Sequence, residues 1–92
     1  MDGNRRYEVK APKKVRKQLS KLPESIQDRF WYLERNLAET GPMQPNWPNF
    51  SKLGRDTYHC HLGYSWVACW MHDKDTITIE VYYVGSRQNA PY

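Results

Sequence analysis

Two histidines, His59 and His61, are spaced so that both can act on one substrate. They lie in the segment TYHCHL (57–62), which alternates polar and apolar residues as a half-buried strand does. Side chains at positions i and i+2 of a strand leave the same face, which here is the polar one. Two imidazoles placed in this way can serve as general base and general acid near neutral pH.

Basic side chains accompany the two histidines along the chain. Lys52 and Arg55 lie just upstream, and Arg87 follows the last predicted strand. Together these cations would make a phosphate site, because they bind the substrate and stabilise the charge that develops on phosphorus. The net charge of +4 likewise favours an anionic partner such as nucleic acid. The four Trp and seven Tyr suit either base stacking or a small aromatic core.

The C-terminal segment 76–92 is predicted to form a strand that Gly85 ends, followed by Arg87 and Tyr92. Its strict alternation predicts two faces. The residues predicted to share one face are Ile77, Ile79, Val81 and Tyr83. The opposite face carries Thr76, Thr78, Glu80 and Tyr82. A strand that presents a guanidinium and a phenol at its end indicates the rim of a site.

The simplest chemistry for this set of residues is cleavage of RNA without a metal or any other cofactor. One group removes the proton of the ribose 2′-hydroxyl, whose oxygen attacks the adjacent phosphorus, and a second group protonates the departing 5′-oxygen. DNA lacks this hydroxyl and would not react.

Two other interpretations of the histidine pair stay open at this point. Exposed strand histidines are often ordinary polar residues, and an HxH pair together with His72 or Cys69 would suit zinc. Because His72 and Cys69 are not at any known zinc-motif spacing from the pair, we predict no metal. Cys60 and Cys69 are predicted to be free thiols, as in other cytosolic proteins.

The length and composition indicate one domain over residues 1–92 with a single core. No apolar run approaches the ~20 residues of a membrane span. The N-terminal sequence also lacks the apolar segment of a secretory signal. We therefore expect a cytoplasmic protein that does not enter a membrane.

The order of the predicted elements is β-α-α-β-β-β. Both helices carry apolar residues at helical spacing, and Trp47 and Phe50 are predicted to anchor the proline-rich loop after them. The predicted strands span 5–10, 57–62, 65–72 and 76–84, with a tight turn at Gly63–Tyr64. Helices that precede a run of hairpin-linked strands indicate an α+β fold, with a helical hairpin packed on one face of a small, mostly antiparallel twisted sheet.

The combined pattern resembles the RelE/ParE toxin superfamily from about Lys10 onward. Lys52-Leu53-Gly54 precedes the strand with His59 and His61, and Val84-Gly85-Ser86-Arg87 precedes Tyr92. The resemblance implies the toxin of a type II toxin–antitoxin system. Such a toxin is a ribosome-dependent mRNA endoribonuclease that cuts mRNA in the ribosomal A site without metal, and a cognate antitoxin neutralises it.

The resemblance also implies roles for individual residues. His59 and His61 fall where RelE-type toxins carry basic strand residues, Arg87 matches the tail arginine that contacts phosphate, and Tyr92 matches the tail tyrosine that stacks on or protonates the substrate. The family's arginine after the next turn is missing, because Ser65-Trp66 occupies that region. The predicted catalytic residues are His59, His61, Arg87 and Tyr92. The predicted RNA-binding and phosphate-binding residues are Lys52, Arg55 and Tyr82.

Two other functions fit the same sequence. The ParE branch of the superfamily shares the fold but inhibits DNA gyrase and generally lacks the nuclease residues, so the pair of His59 and His61 favours the nuclease branch. The third hypothesis is a non-catalytic interaction module of the same fold. We expect the free protein to be a monomer.

Overall fold

Two helices pack on one face of a five-stranded sheet in the computed structural model, which describes residues 6–92. The elements are β1 (Glu8–Lys10), α1 (Lys13–Ser20), α2 (Glu24–Thr40), β2 (Ser51–Lys52), β3 (Thr57–Gly63), β4 (Trp66–His72) and β5 (Thr78–Ser86). The strands lie in the order β1-β5-β4-β3-β2, with β1 parallel to β5 and the other neighbours antiparallel. The predicted α+β class is confirmed. Among the described residues, no helix combines the length and apolar character needed to cross a bilayer.

Apolar stripes on the two helices hold them against the sheet. Val15 and Leu19 of α1 and Phe30, Leu33 and Leu37 of α2 are each 3% exposed or less. The sheet residues in the same core are Tyr58, Cys60, Leu62, Ala68, Trp70, Ile79, Val81 and Val84. Burying each of the Val, Leu, Ile and Phe side chains among them stabilises the fold by about 1.5–3 kcal/mol. The helices therefore cover this face of the sheet, and the opposite face, called the open face below, carries neither α1 nor α2.

Gly41 ends α2 in a backbone conformation that other residues rarely adopt. Its φ is 97° and its ψ is −169°, and an added Cβ would lie 2.9 Å from the Tyr7 ring. We expect Gly41→Ala to lower the free energy of unfolding by about 1–3 kcal/mol, because the new side chain strains the backbone and displaces that ring. Chemical denaturation measures the change. Gly54→Ala, where φ is not in this range, is the control, and equal losses in both variants would contradict the argument.

A bulge in β5 changes which tail residues face the core. Cys69 pairs with Tyr83, but the next residue of β4 pairs with Val81, so Tyr82 has no partner and the alternation is reset. Val84 enters the core instead, and the prediction that Tyr83 shares a face with Ile79 and Val81 is wrong. An alternating pattern assumes an unbroken register and cannot show where a residue has been added.

Several expectations about the ends of strands are also wrong. Ile77, predicted to lie in the strand on the same face as Ile79, precedes β5 and is 61% exposed. Gly85 lies within β5 rather than ending it, and an added Cβ would lie 2.6 Å from the Tyr83 hydroxyl, so this glycine makes room for that ring. The turn between β3 and β4 falls at 64–65, one residue later than predicted. No pattern predicts β2, because two residues are too few to alternate and the strand forms only by pairing with β3.

Aromatic residues anchor the proline-rich loop, as predicted. Trp47 is 7% exposed, and the Phe50 ring stacks on the Tyr58 ring with centroids 6.0 Å apart. The backbone N–H of His61 donates to the Pro48 carbonyl at 2.8 Å. The loop therefore runs along the edge of β3 and lies beside the open face of the sheet.

Candidate active site

His59 and His61 lie together on the open face of the sheet. The alternate residues of β3, Tyr58, Cys60 and Leu62, belong to the core, which confirms the predicted separation of the two faces. The imidazole centroids are 5.8 Å apart, with 61° between the ring planes. At this spacing, groups around one phosphate can contact both rings.

His59 is held from two sides. Its Nδ1 lies 2.9 Å from Ser51 Oγ on the neighbouring edge strand β2, and its ring centroid lies 4.5 Å from that of Tyr92. Only 7% of the residue is exposed. Sequence reasoning missed Ser51, because its approach to His59 depends on β2, which no pattern predicts.

Both imidazoles favour the neutral form. Burial lowers the pKa of His59, the charge of His61 lowers it further, and the hydrogen bond with Ser51 opposes them. Burial also lowers the pKa of His61, and the Arg87 guanidinium adds to this effect. A neutral imidazole with a lowered pKa can accept a proton at pH 7.

Arg87 directly follows β5, and its charge acts on His61. Its backbone N–H donates to the Ser65 carbonyl at 2.8 Å, which fixes the start of the tail against the β3–β4 turn. Its guanidinium carbon lies 5.8 Å from the ring centroid of Tyr64. Because its charge lowers the pKa of both His61 and Tyr92, it lies within electrostatic reach of both groups.

A turn after β5 brings Tyr92 back over the open face. The Asn89 N–H donates to Ser86 Oγ at 3.2 Å, and the Ala90 N–H donates to the Arg87 carbonyl at 3.3 Å. Tyr92 thus reaches the His59 ring although it is 55% exposed. Burial raises the pKa of Tyr92, and the Arg87 charge only partly opposes this. The phenol therefore keeps its proton at neutral pH.

Cys69 and Tyr82 lie in the sheet beneath these groups. Cys69 of β4 pairs with His59 of β3 on one side and with Tyr83 of β5 on the other. It is fully buried. Burial raises the pKa of Cys69 to about 12, and the interaction with the Tyr82 side chain opposes this effect. Cys60 lies in the core on the other face, so the two thiols cannot bond to each other.

The structure does not gather Lys52 and Arg55 with the histidines. Ser51 faces His59, so the adjacent Lys52 points to the other side of the sheet, where its Nζ lies 5.9 Å from the Tyr58 ring centroid. Arg55 is exposed in the turn before β3. It precedes the first residue of β3, whereas His61 is the fifth residue of that strand.

His72 does not join the histidine pair either. Its ring lies 6.0 Å from the Tyr7 ring, and its Nε2 lies 3.0 Å from the Thr76 carbonyl oxygen, on the helix side of the sheet. Across residues 6–92, no three His, Cys, Asp or Glu side chains come together as a metal site would require. Neither ligand set considered from sequence, the histidine pair with His72 or the pair with Cys69, is therefore assembled among these residues.

A cavity of about 260 Å³ adjoins His61 and brings in residues that sequence reasoning missed. Arg29 of α2, Asn49 of the proline-rich loop and Tyr64 of the β3–β4 turn line it together with His61. From the sequence alone, Arg29 would be interpreted as an ordinary solvent-exposed residue of a helix. Only the packing of α2 beside β3 places it near the histidines.

No protein-family model and no curated protein matches this sequence. Among solved structures, the chain is similar to the archaeal RelE–RelB complex from Pyrococcus horikoshii OT3, with a TM-score of 0.73 and 22% identity over 92% of this chain and 99% of the other. It is similar to the isolated E. coli RelE toxin, with a TM-score of 0.71 and 14% identity over 92% of this chain and 88% of the other. A metal-bound toxin from Helicobacter pylori has a TM-score of 0.68 and 20% identity over 89% of this chain and 96% of the other. The chain therefore has the same fold as these RelE toxin structures.

Proposed function

We propose that this chain is the toxin of a type II toxin–antitoxin system and an endoribonuclease that cuts mRNA on the ribosome, in the cytoplasm. The observation that carries the proposal is the pair of imidazoles, His59 and His61, 5.8 Å apart on the open face with Tyr92 and Arg87 beside them. The fold shared with RelE toxins supports the same class. Structural neighbours that include RelE–RelB and RelBE2 complexes support a cognate antitoxin as partner.

His61 is the general base in this proposal. Its lowered pKa keeps it neutral, and it is more accessible than His59, which Ser51 and Tyr92 cover. His61 takes the proton of the ribose 2′-hydroxyl, and the 2′-oxygen attacks the adjacent phosphorus. The bond from phosphorus to the 5′-oxygen breaks, which leaves a 2′,3′-cyclic phosphate and a 5′-hydroxyl.

Tyr92 is the general acid, and His59 positions it. The raised pKa of Tyr92 keeps the phenol protonated, so it can give its proton to the departing 5′-oxygen. The contact of the two rings, with centroids 4.5 Å apart, orients the phenol over the site. Arg87 stabilises the negative charge that develops on the phosphate oxygens.

Cell-free translation tests the proposal. Purified protein added to such a reaction is expected to stop translation and to produce mRNA fragments whose mapped ends carry a 2′,3′-cyclic phosphate. Toxin treated with EDTA, from which the chelator is removed before the assay, is expected to cut at an unchanged rate. Continued translation of intact mRNA would overturn the proposal. Intact mRNA accompanied by trapped gyrase cleavage complexes would support the ParE-like function instead.

The pH dependence of cleavage distinguishes two mechanisms. In the proposed one, His61 is the base and Tyr92 the acid; in the other, one histidine is the base and the other histidine the acid. With a neutral His61 as base, kcat/KM rises through a pKa lower than that of a free imidazole and then stays level, because the raised pKa of Tyr92 keeps the phenol protonated. With one histidine acting as acid, the rate would fall again as that histidine loses its proton below neutral pH. Single-turnover rates between pH about 5 and about 9 span both possibilities.

A further inference from the structure

The cavity beside His61 has the composition of a nucleotide site. It lies between α2, the proline-rich loop and the β3–β4 turn, with Arg29, Asn49 and Tyr64 around it. Its volume of about 260 Å³ is just below the ~300–1,000 Å³ of sites for drug-sized ligands, so one base with its phosphate fits better than a larger ligand. Among the described residues that line it, none is a carboxylate that would repel a phosphate.

Arg29 is held in a fixed position at this cavity. Its guanidinium carbon lies 4.8 Å from the Trp47 ring centroid, and its Nε donates a long hydrogen bond of 3.4 Å to the Leu62 carbonyl. The remaining N–H groups of the guanidinium stay available for a ligand. A fixed guanidinium matches the oxygens of a phosphate and loses little side-chain entropy when it binds one.

Tyr64 offers a stacking surface at the rim of the same cavity. It is 86% exposed, in the turn between β3 and β4. The Arg87 guanidinium carbon lies 5.8 Å from the ring centroid of Tyr64. Tyr64 also lines the cavity that contains Arg29, so its ring lies between the two arginines. Exposed aromatic rings flanked by cations are what proteins use to bind single-stranded RNA.

We propose that this cavity binds the mRNA nucleotide that adjoins the cleaved bond, with its base stacked on Tyr64 and its phosphate on Arg29. This inference rests on the proposed function, because His61 is a shared wall of the cavity and the cleavage site. Asn49, at φ 55° in the loop, places an amide with both donor and acceptor groups in the lining, where it can meet the edge of the base.

Cleavage of ribosome-bound mRNA tests the inference through matched variants. Tyr64→Ala is expected to lower kcat/KM roughly fivefold or more, as the loss of one stacked base does, and Arg29→Met to lower it by a similar factor. Tyr64→Phe, which keeps the ring, is expected to recover most of the loss. Arg35→Met removes an exposed arginine of α2 that does not line this cavity and is the control for charge. Thermal unfolding checks that each variant is folded.

An mRNA with an abasic nucleotide next to the cleaved bond makes the test specific. The difference between wild type and Tyr64→Ala is expected to disappear on this mRNA, because the base that stacks on the ring is missing. If wild type cuts mRNA, and Tyr64→Ala and Arg29→Met cut the unmodified and the abasic mRNA at the wild-type rate, the nucleotide site is overturned while the proposed function stands. Losses from Arg35→Met as large as those from Arg29→Met would also overturn it.

A binding measurement keeps the two proposals separate if wild type does not cut mRNA. A 2′-O-methyl trinucleotide, which cannot be cleaved, is titrated into the full chain and followed by NMR. Shifts at the Arg29 Nε–H and the Tyr64 amide that are lost in Tyr64→Ala would support the site without catalysis. Unchanged signals at both positions would overturn it.

Discussion

Replacing His61 with alanine is expected to slow mRNA cleavage on the ribosome by roughly 10²- to 10⁴-fold, the usual contribution of a general base. The fold should survive, because His61 lies on the open face and its ring takes no part in the core. Single-turnover cleavage of ribosome-bound mRNA measures the loss directly. Growth arrest on expression in cells, the corresponding readout of toxicity, should weaken in parallel.

His72→Ala is the matched control for this experiment. His72 belongs to the same sheet but lies on the helix side, against Tyr7, so its loss should leave cleavage close to the wild-type rate. If His61→Ala cuts as fast as wild type while remaining folded, the active site is on another face. If both histidine variants lose activity equally, the effect is one of stability rather than chemistry.

Replacing Arg87 with alanine is expected to lower kcat roughly 10²- to 10³-fold, as the loss of one preorganised electrostatic group does. The guanidinium acts electrostatically on His61 and Tyr92, whose pKa values it lowers, so we expect it to meet the phosphate between them. Arg55→Ala is the comparison. Because Arg55 is in the turn at the far end of β3, its loss should reduce cleavage several-fold at most.

The pH profile of Arg87→Ala distinguishes a direct electrostatic role from misfolding. Removing the cation makes the protonated imidazole of His61 less unfavourable, so the pKa of His61 rises and the acid limb of kcat/KM moves to higher pH. A merely unfolded fraction would scale the rate equally at every pH. A profile identical in shape to that of wild type would therefore contradict the placement of Arg87 beside His61.

Local periodicity accounts for the parts of the fold that were predicted correctly. The helical spacing of Phe30, Leu33 and Leu37 identifies the buried stripe of α2, and alternation in β3 separates His59 and His61 from the core. Each of these patterns depends on the geometry of one element, which a few neighbouring residues determine. The α+β class follows from the order of such elements along the chain.

Pairing between distant strands accounts for the parts that were wrong or missed. The unpaired Tyr82 turns Tyr83 away from the core, although the sequence alternates evenly through both. Lys52 was predicted to bind phosphate because it is close to the histidines in sequence. The pairing of β2 with β3 instead places its side chain on the face of the sheet opposite the histidines. Neither outcome is encoded in a local pattern, because each depends on the register with a neighbouring strand.

The sequence by itself determined that two imidazoles share one polar strand face, since residues two apart in a strand always do. Only the tertiary structure decided what surrounds them. Chain folding places Ser51 and Tyr92 on His59 and a fixed Arg29 in the cavity beside His61. These groups come from separate elements, and their meeting is set by how the helices and strands pack together rather than by spacing along the chain.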